Sequence, residues 1–115
     1  MVKAKISQQE MKKFVNDFII SLEKNNLQVR RVVLFGSYAR GNPRDYSDID
    51  LAVIADKFTD NRWKNQTKIA RATESDQDYS YIIEPIGYST KEYEQAERGS
   101  FLDEIKRTGK TIYSK

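Results

Sequence analysis

The stretch Val29-Arg30-Arg31-Val32-Val33-Leu34-Phe35-Gly36-Ser37 reads as a strand running into a glycine-serine corner, and Asp48-Ile49-Asp50-Leu51-Ala52-Val53-Ile54 reads as the strand that follows. The first run is dense in β-branched and aromatic residues and broken only by Arg30 and Arg31, so it predicts a largely buried strand ending at Gly36. Tyr38 to Arg40 has room for one helical turn before Gly41, Asn42 and Pro43 open a loop that lasts to Ser47. In the second strand Ile49, Leu51 and Val53 point one way and Asp48 and Asp50 the other, which gives it one acidic edge.

Outward from this centre the pattern alternates between helix and strand. Ser7 and Glu10 have capping-box spacing, and Met11, Phe14, Val15, Phe18, Ile19 and Leu22 recur at helical intervals up to Asn25 and Asn26. Asn61 to Asp76 reads as a partly exposed helix with a narrow packed stripe in which Trp63, Ile69 and Ala70 are the main apolar points. Tyr81 to Tyr88 predicts a third strand, with Pro85 favouring an edge position or a bulge. Ser89 and Glu92 repeat the capping-box spacing ahead of a helix through Tyr93 to Arg98, and Phe101, Leu102 and Ile105 mark a last short helix closed by Gly109. Thr111 to Tyr113 adds a small terminal strand. The fold class is therefore α/β or α+β: a small mixed sheet of about three to four strands flanked by helices.

Composition narrows the chemistry. A chain of 115 residues is expected to form one domain, residues 1–115, with no residues left for an acceptor-binding module. Neither Cys nor His occurs, which excludes disulfides, thiolate zinc sites and imidazole-based triads. The longest apolar stretch, Val32 to Phe35, is too short to span a bilayer. Met1 to Ile6 carries lysines with no apolar region after it, so no secretory signal is expected and the reading is cytoplasmic. The net charge of +3 permits weak attraction to nucleic acid but decides nothing, and direct nucleic-acid binding is not expected.

Carboxylates, hydroxyls and cations remain, and one constellation uses all of them. Gly36 lets the backbone approach an anion, and Ser37 adds a hydroxyl and an exposed amide, so the corner suits phosphate. Asp48 and Asp50 project from one strand face, and their hard oxygens suit Mg²⁺ or Mn²⁺. Paired divalent ions clamp the attacking and leaving oxygens of an in-line phosphoryl-type displacement. A third carboxylate is needed, to ligate metal or to take a proton from an acceptor hydroxyl, and Glu84 in the third strand is the best placed. Asp76 and Asp78 read as solvated. By background frequencies Gly-Ser with two spaced aspartates arises by chance in roughly one chain per thousand of this length.

These residues resemble the minimal nucleotidyltransferase domains of the DNA polymerase β-like superfamily. The resemblance runs from Val32 through Asp48-Ile49-Asp50 and, more loosely, through Glu84 to the C-terminal helices. It implies that Gly36 and Ser37 contact the triphosphate, and that Asp48, Asp50 and Glu84 bind two metal ions. That family commonly has aspartate at the third position, so glutamate leaves a degenerate site as an alternative. Within the superfamily the pattern looks like the antitoxin partners of HEPN-domain toxins, which implies transfer of AMP from ATP to a tyrosine of the toxin. Relatives acting on aminoglycosides or tRNA ends carry further domains.

Blander readings stand beside these. Arg40 either neutralises the triphosphate or pairs with Asp45 or Asp48. Glu84 is also what a water-facing edge strand would carry. Arg30 and Arg31 face opposite sides of their strand and receive no role, and Lys3, Lys5, Lys12 and Lys13 fit a solvated helix face. Tyr38, Tyr46, Tyr79, Tyr81, Tyr88, Tyr93 and Tyr113 exceed what so small a core needs, and some are available to a partner surface. The competing functions are a catalytically silent antitoxin that binds its toxin stoichiometrically, transfer to another acceptor, and a nucleic-acid-binding module.

Overall fold

The computed structural model describes residues 6–44, 47–74 and 82–115. Along the chain these form α1 (Gln8–Lys24), β1 (Val29–Phe35), α2 (Ser37–Arg40), β2 (Ile49–Ala55), α3 (Arg62–Thr73), β3 (Ile83–Ser89), α4 (Thr90–Glu94), α5 (Phe101–Thr108) and β4 (Lys110–Ser114). The four strands make one sheet in the order β3-β2-β1-β4, with β2 and β3 parallel and both other pairs antiparallel. No helix among the described residues is long and apolar enough to cross a membrane.

Both predicted capping boxes are present: Ser7 and Glu10 exchange bonds at the start of α1, as do Ser89 and Glu92 at the start of α4. α4 stops at Glu94 instead of running to Arg98, because Gln95 caps it and the chain turns through Gly99 to begin α5 at the Ser100 cap. α3 ends at Thr73, short of Asp76, and the expected strand start at Tyr81 lies outside the described residues, as do Asp45, Tyr46, Asp76, Asp78 and Tyr79. Of the stripe predicted for α3 only Ile69 is packed. Trp63 and Ala70 face water, and the buried positions are Asn65, Ile69 and Ala72.

Each face of the sheet is covered differently. On one, α1 and α3 bury Val15, Phe18, Leu22 and Ile69 against Val32, Leu34, Ile49, Leu51 and Val53. On the other, Leu102 and Ile105 of α5 pack on Val33, Ala52, Ile54 and Tyr88. With apolar cover on both sides, β2 reads as a nearly continuous hydrophobic run after Asp50. Burying one such aliphatic side chain is worth about 1.5–3 kcal/mol.

The outer edge of β3 is closed by side chains of α3. The Gln66 amide donates to the Pro85 carbonyl (2.8 Å) and accepts from Gly87 N–H (2.9 Å), in the manner of a peptide group on a neighbouring strand. Asn65 Nδ2 and Arg62 both donate to the Gly87 carbonyl, at 2.9 and 2.6 Å. Helix and strand approach closely enough that a Cβ on Gly87 would collide with Phe58 and Asn65. Pro85 thus occupies the edge position predicted for it.

Candidate active site

Where β1 ends, Gly36 takes φ +76° and ψ −155°, a conformation open essentially to glycine alone. The bend tucks its backbone against β2, and a Cβ there would fall on the Asp50 carboxylate. α2 follows, its turn closed by Arg40 N–H on the Gly36 carbonyl and by Asn42 N–H on the Ser37 carbonyl, each at 3.1 Å. At the far end of the loop Arg44 and Ser47 exchange bonds, Arg44 N–H to Ser47 Oγ (2.8 Å) and Ser47 N–H to the Arg44 carbonyl (3.0 Å). This clasp sets the chain entering at Asp48.

The sequence-predicted residues converge at the end of the sheet formed by the last residue of β1 and the first residues of β2 and β3. Ile49 N–H donates to the Ile82 carbonyl (2.8 Å), which locks the starts of β2 and β3 side by side. In that register Asp50 stands directly beside Glu84, so both carboxylates emerge on the same face, opposite the one that buries Ile49 and Ile83. Asp48 and Asp50 are half-buried and Glu84 is exposed. Glu84 is therefore a water-facing edge residue, as one reading has it, and also a direct neighbour of Asp50.

The electrostatics follow from this crowding. Burial, and then the like charges of Asp48 and Glu84, push the Asp50 carboxyl above its ordinary value, while the charge of Arg40 pulls the other way. Arg40 is exposed, and its field reaches the carboxylates. Arg30 and Arg31 turn elsewhere, Arg30 to Asp56 and Arg31 to Thr111 and the Tyr93 ring.

Among the described residues no three carboxylates close into a ready metal cage. The donors offered are hard carboxylate oxygens, the type a divalent ion such as Mg²⁺ takes, and Asp50, raised first by burial and then by the like charges of Asp48 and Glu84, is where a cation would be most favourable.

A family model described as Polymerase beta, Nucleotidyltransferase matches residues 17–115. The chain belongs to the polymerase β nucleotidyltransferase family. It is similar to the protein adenylyltransferase MntA of Shewanella oneidensis, with 43% identity over 63 residues, which is 52% of this chain and 45% of that protein. A candidate protein adenylyltransferase of Methanocaldococcus jannaschii is 33% identical over 100 residues, 86% of this chain and 91% of that protein. Among solved structures, a toxin-antitoxin structure with AMP-PNP matches at TM-score 0.50 and 28% identity, covering 87% of this chain and 73% of that one.

One neighbour of this site carried no signal in the sequence. Phe101 marked only the start of a helix, yet its ring lies on Phe35, the residue paired with Asp50 across β1 and β2.

Proposed function

We propose that this nucleotidyltransferase acts as a single domain and as the antitoxin of a HEPN toxin pair, moving AMP from ATP to a tyrosine hydroxyl of the toxin in the cytoplasm. The observation that carries the reading is the row at the sheet end: Asp50 beside Glu84 in register, Asp48 two residues before, and Gly36 pressed against the Asp50 carboxylate. Names of relatives supply the acceptor class, since one similar protein is a protein adenylyltransferase and another match is a toxin-antitoxin structure with AMP-PNP.

In this reading the Gly36–Ser37 corner receives the triphosphate through its backbone and hydroxyl, and Arg40 offsets its charge. Asp48, Asp50 and Glu84 are the groups that would hold two Mg²⁺ ions, which when bound neutralise charge on the phosphates. The acceptor oxygen forms a bond to the α-phosphorus as the bond from that phosphorus to the bridging oxygen breaks and pyrophosphate leaves. The hydroxyl proton passes to a carboxylate of the row or to water.

Incubation of the protein with labelled ATP, Mg²⁺ and the toxin encoded beside it should label the toxin, and intact-mass measurement should show an AMP-sized increment. Label that persists in the Asp48→Ala, Asp50→Ala double variant would sink the reading. A silent antitoxin is favoured by one specific observation, the exposed Glu84 in the third position without a closed cage. In that case the double variant would still protect cells.

A further inference from the structure

The acidic row has an aromatic continuation. Phe35 pairs with Asp50 across β1 and β2, and Asp50 pairs with Glu84 across β2 and β3, so the three side chains follow one another across one face of the sheet. The Phe101 ring meets Phe35 edge to face, with centroids 5.8 Å apart and planes at 83°. Phe101 is 54% exposed, although Leu102 and Ile105 of the same helix are buried. Its position is nonetheless held. Ser100 caps α5 on Asp103 N–H, Asp103 accepts from Gly99 N–H, and Phe35 supports the ring from below. A fixed, water-facing phenyl ring next to a row of carboxylates is not what core packing requires.

A nucleotide bound with its phosphates at the Gly36–Ser37 corner would have its base to one side of the carboxylates. Beyond Glu84 the sheet gives way to the polar flank of α3, where Gln66 is committed to β3. Toward β1 the same face instead carries Phe35 and, against it, the exposed Phe101. We propose that Phe101, backed by Phe35, is the platform on which the donor nucleotide stacks its base, an inference that rests on the nucleotidyltransferase reading of the site. Stacking is tolerant of base identity because every base has a π-face. This accounts for a sequence in which no base-recognition pattern is visible.

Calorimetric titration of the full chain with ATP and with inorganic tripolyphosphate, both with Mg²⁺, separates the base from the phosphates. Phe101→Ala should weaken ATP roughly tenfold and leave tripolyphosphate unchanged, and Phe101→Trp should restore ATP affinity. Unchanged ATP affinity in Phe101→Ala, equal weakening of tripolyphosphate, or failure of Phe101→Trp to restore binding would overturn the assignment. So would an effect confined to the KM of the acceptor, which would place the ring against the acceptor instead. A wild-type chain that binds neither ligand overturns the nucleotidyltransferase reading itself, and that result is distinguishable because it appears before any substitution is made. Thermal melts of each variant separate binding loss from unfolding.

Discussion

Asp50 and Asp56 mark opposite ends of the same strand and meet opposite fates. At the far end, hydrogen bonds from Thr90 (2.7 Å) and Arg30 (2.8 Å) hold the Asp56 carboxyl below its ordinary value. Nearby, Glu92 is bound by Arg62 at 2.6 Å and by Ser89 N–H at 2.9 Å. At the other end Asp50 sits among Asp48 and Glu84, and its carboxyl is pushed up. One end of the sheet has its carboxylates matched by hydrogen bonds and ion pairs, and the other crowds like charge around Asp50, which costs stability.

The strongest test of this contrast is Asp48→Asn with Asp50→Asn. Nucleotidyl transfer should fall about a thousandfold or more in the double variant, and Asp50→Asn alone should leave the melting temperature unchanged or raise it because repulsion is removed. A melting temperature that drops would show that this carboxylate belongs with the matched end. Gly36→Ala comes next. Its Cβ would displace Asp50, so transfer should fall about a hundredfold, with roughly 1–3 kcal/mol lost to the glycine-only backbone conformation in chemical denaturation. Variants at the matched end should do the reverse, lowering stability while sparing chemistry.

Asn65→Ala should cost about 2–3 kcal/mol in urea unfolding, since it strips the fully buried amide that serves Thr59 and the Gly87 carbonyl. Glu92→Gln should cost about 1 kcal/mol or less, because water screens a pair whose members are 35% and 23% exposed. Burial pushes Glu92 up, but the bonds from Arg62 and Ser89 outweigh it and leave the carboxyl below its ordinary 4.5. Its contribution is therefore complete above about that pH and is lost as pH falls through the lowered folded value. Stability measured against pH should lose part of its acid slope in Glu92→Gln; an unchanged slope would refute the pairing.

Much of the strand skeleton was legible because its signals are local. The run Val29 to Phe35 has the period and bounds of the observed β1, and the two capping boxes announce α1 and α4. That Glu84 shares a sheet face with Asp50 is expected from the sequence, but their direct pairing is fixed by the register that the Ile49 to Ile82 bond sets. What could not be read depends on polar residues doing the work of apolar ones. Asn65 buries its amide because Gly87 and Thr59 satisfy it, so no hydrophobic period points to it, while Trp63 looks like core and is 75% exposed. The contact of Phe35 with Phe101 was equally hidden, since it joins the end of β1 to the start of α5 and leaves no local pattern.

The amide of Gln66 has a consequence for assembly. By standing in for a missing strand along β3, it occupies the Pro85 carbonyl and the Gly87 N–H at that margin of the sheet. A strand adding to this margin would first have to displace Gln66, so extension of the sheet past β3 is opposed by the chain's own side chains.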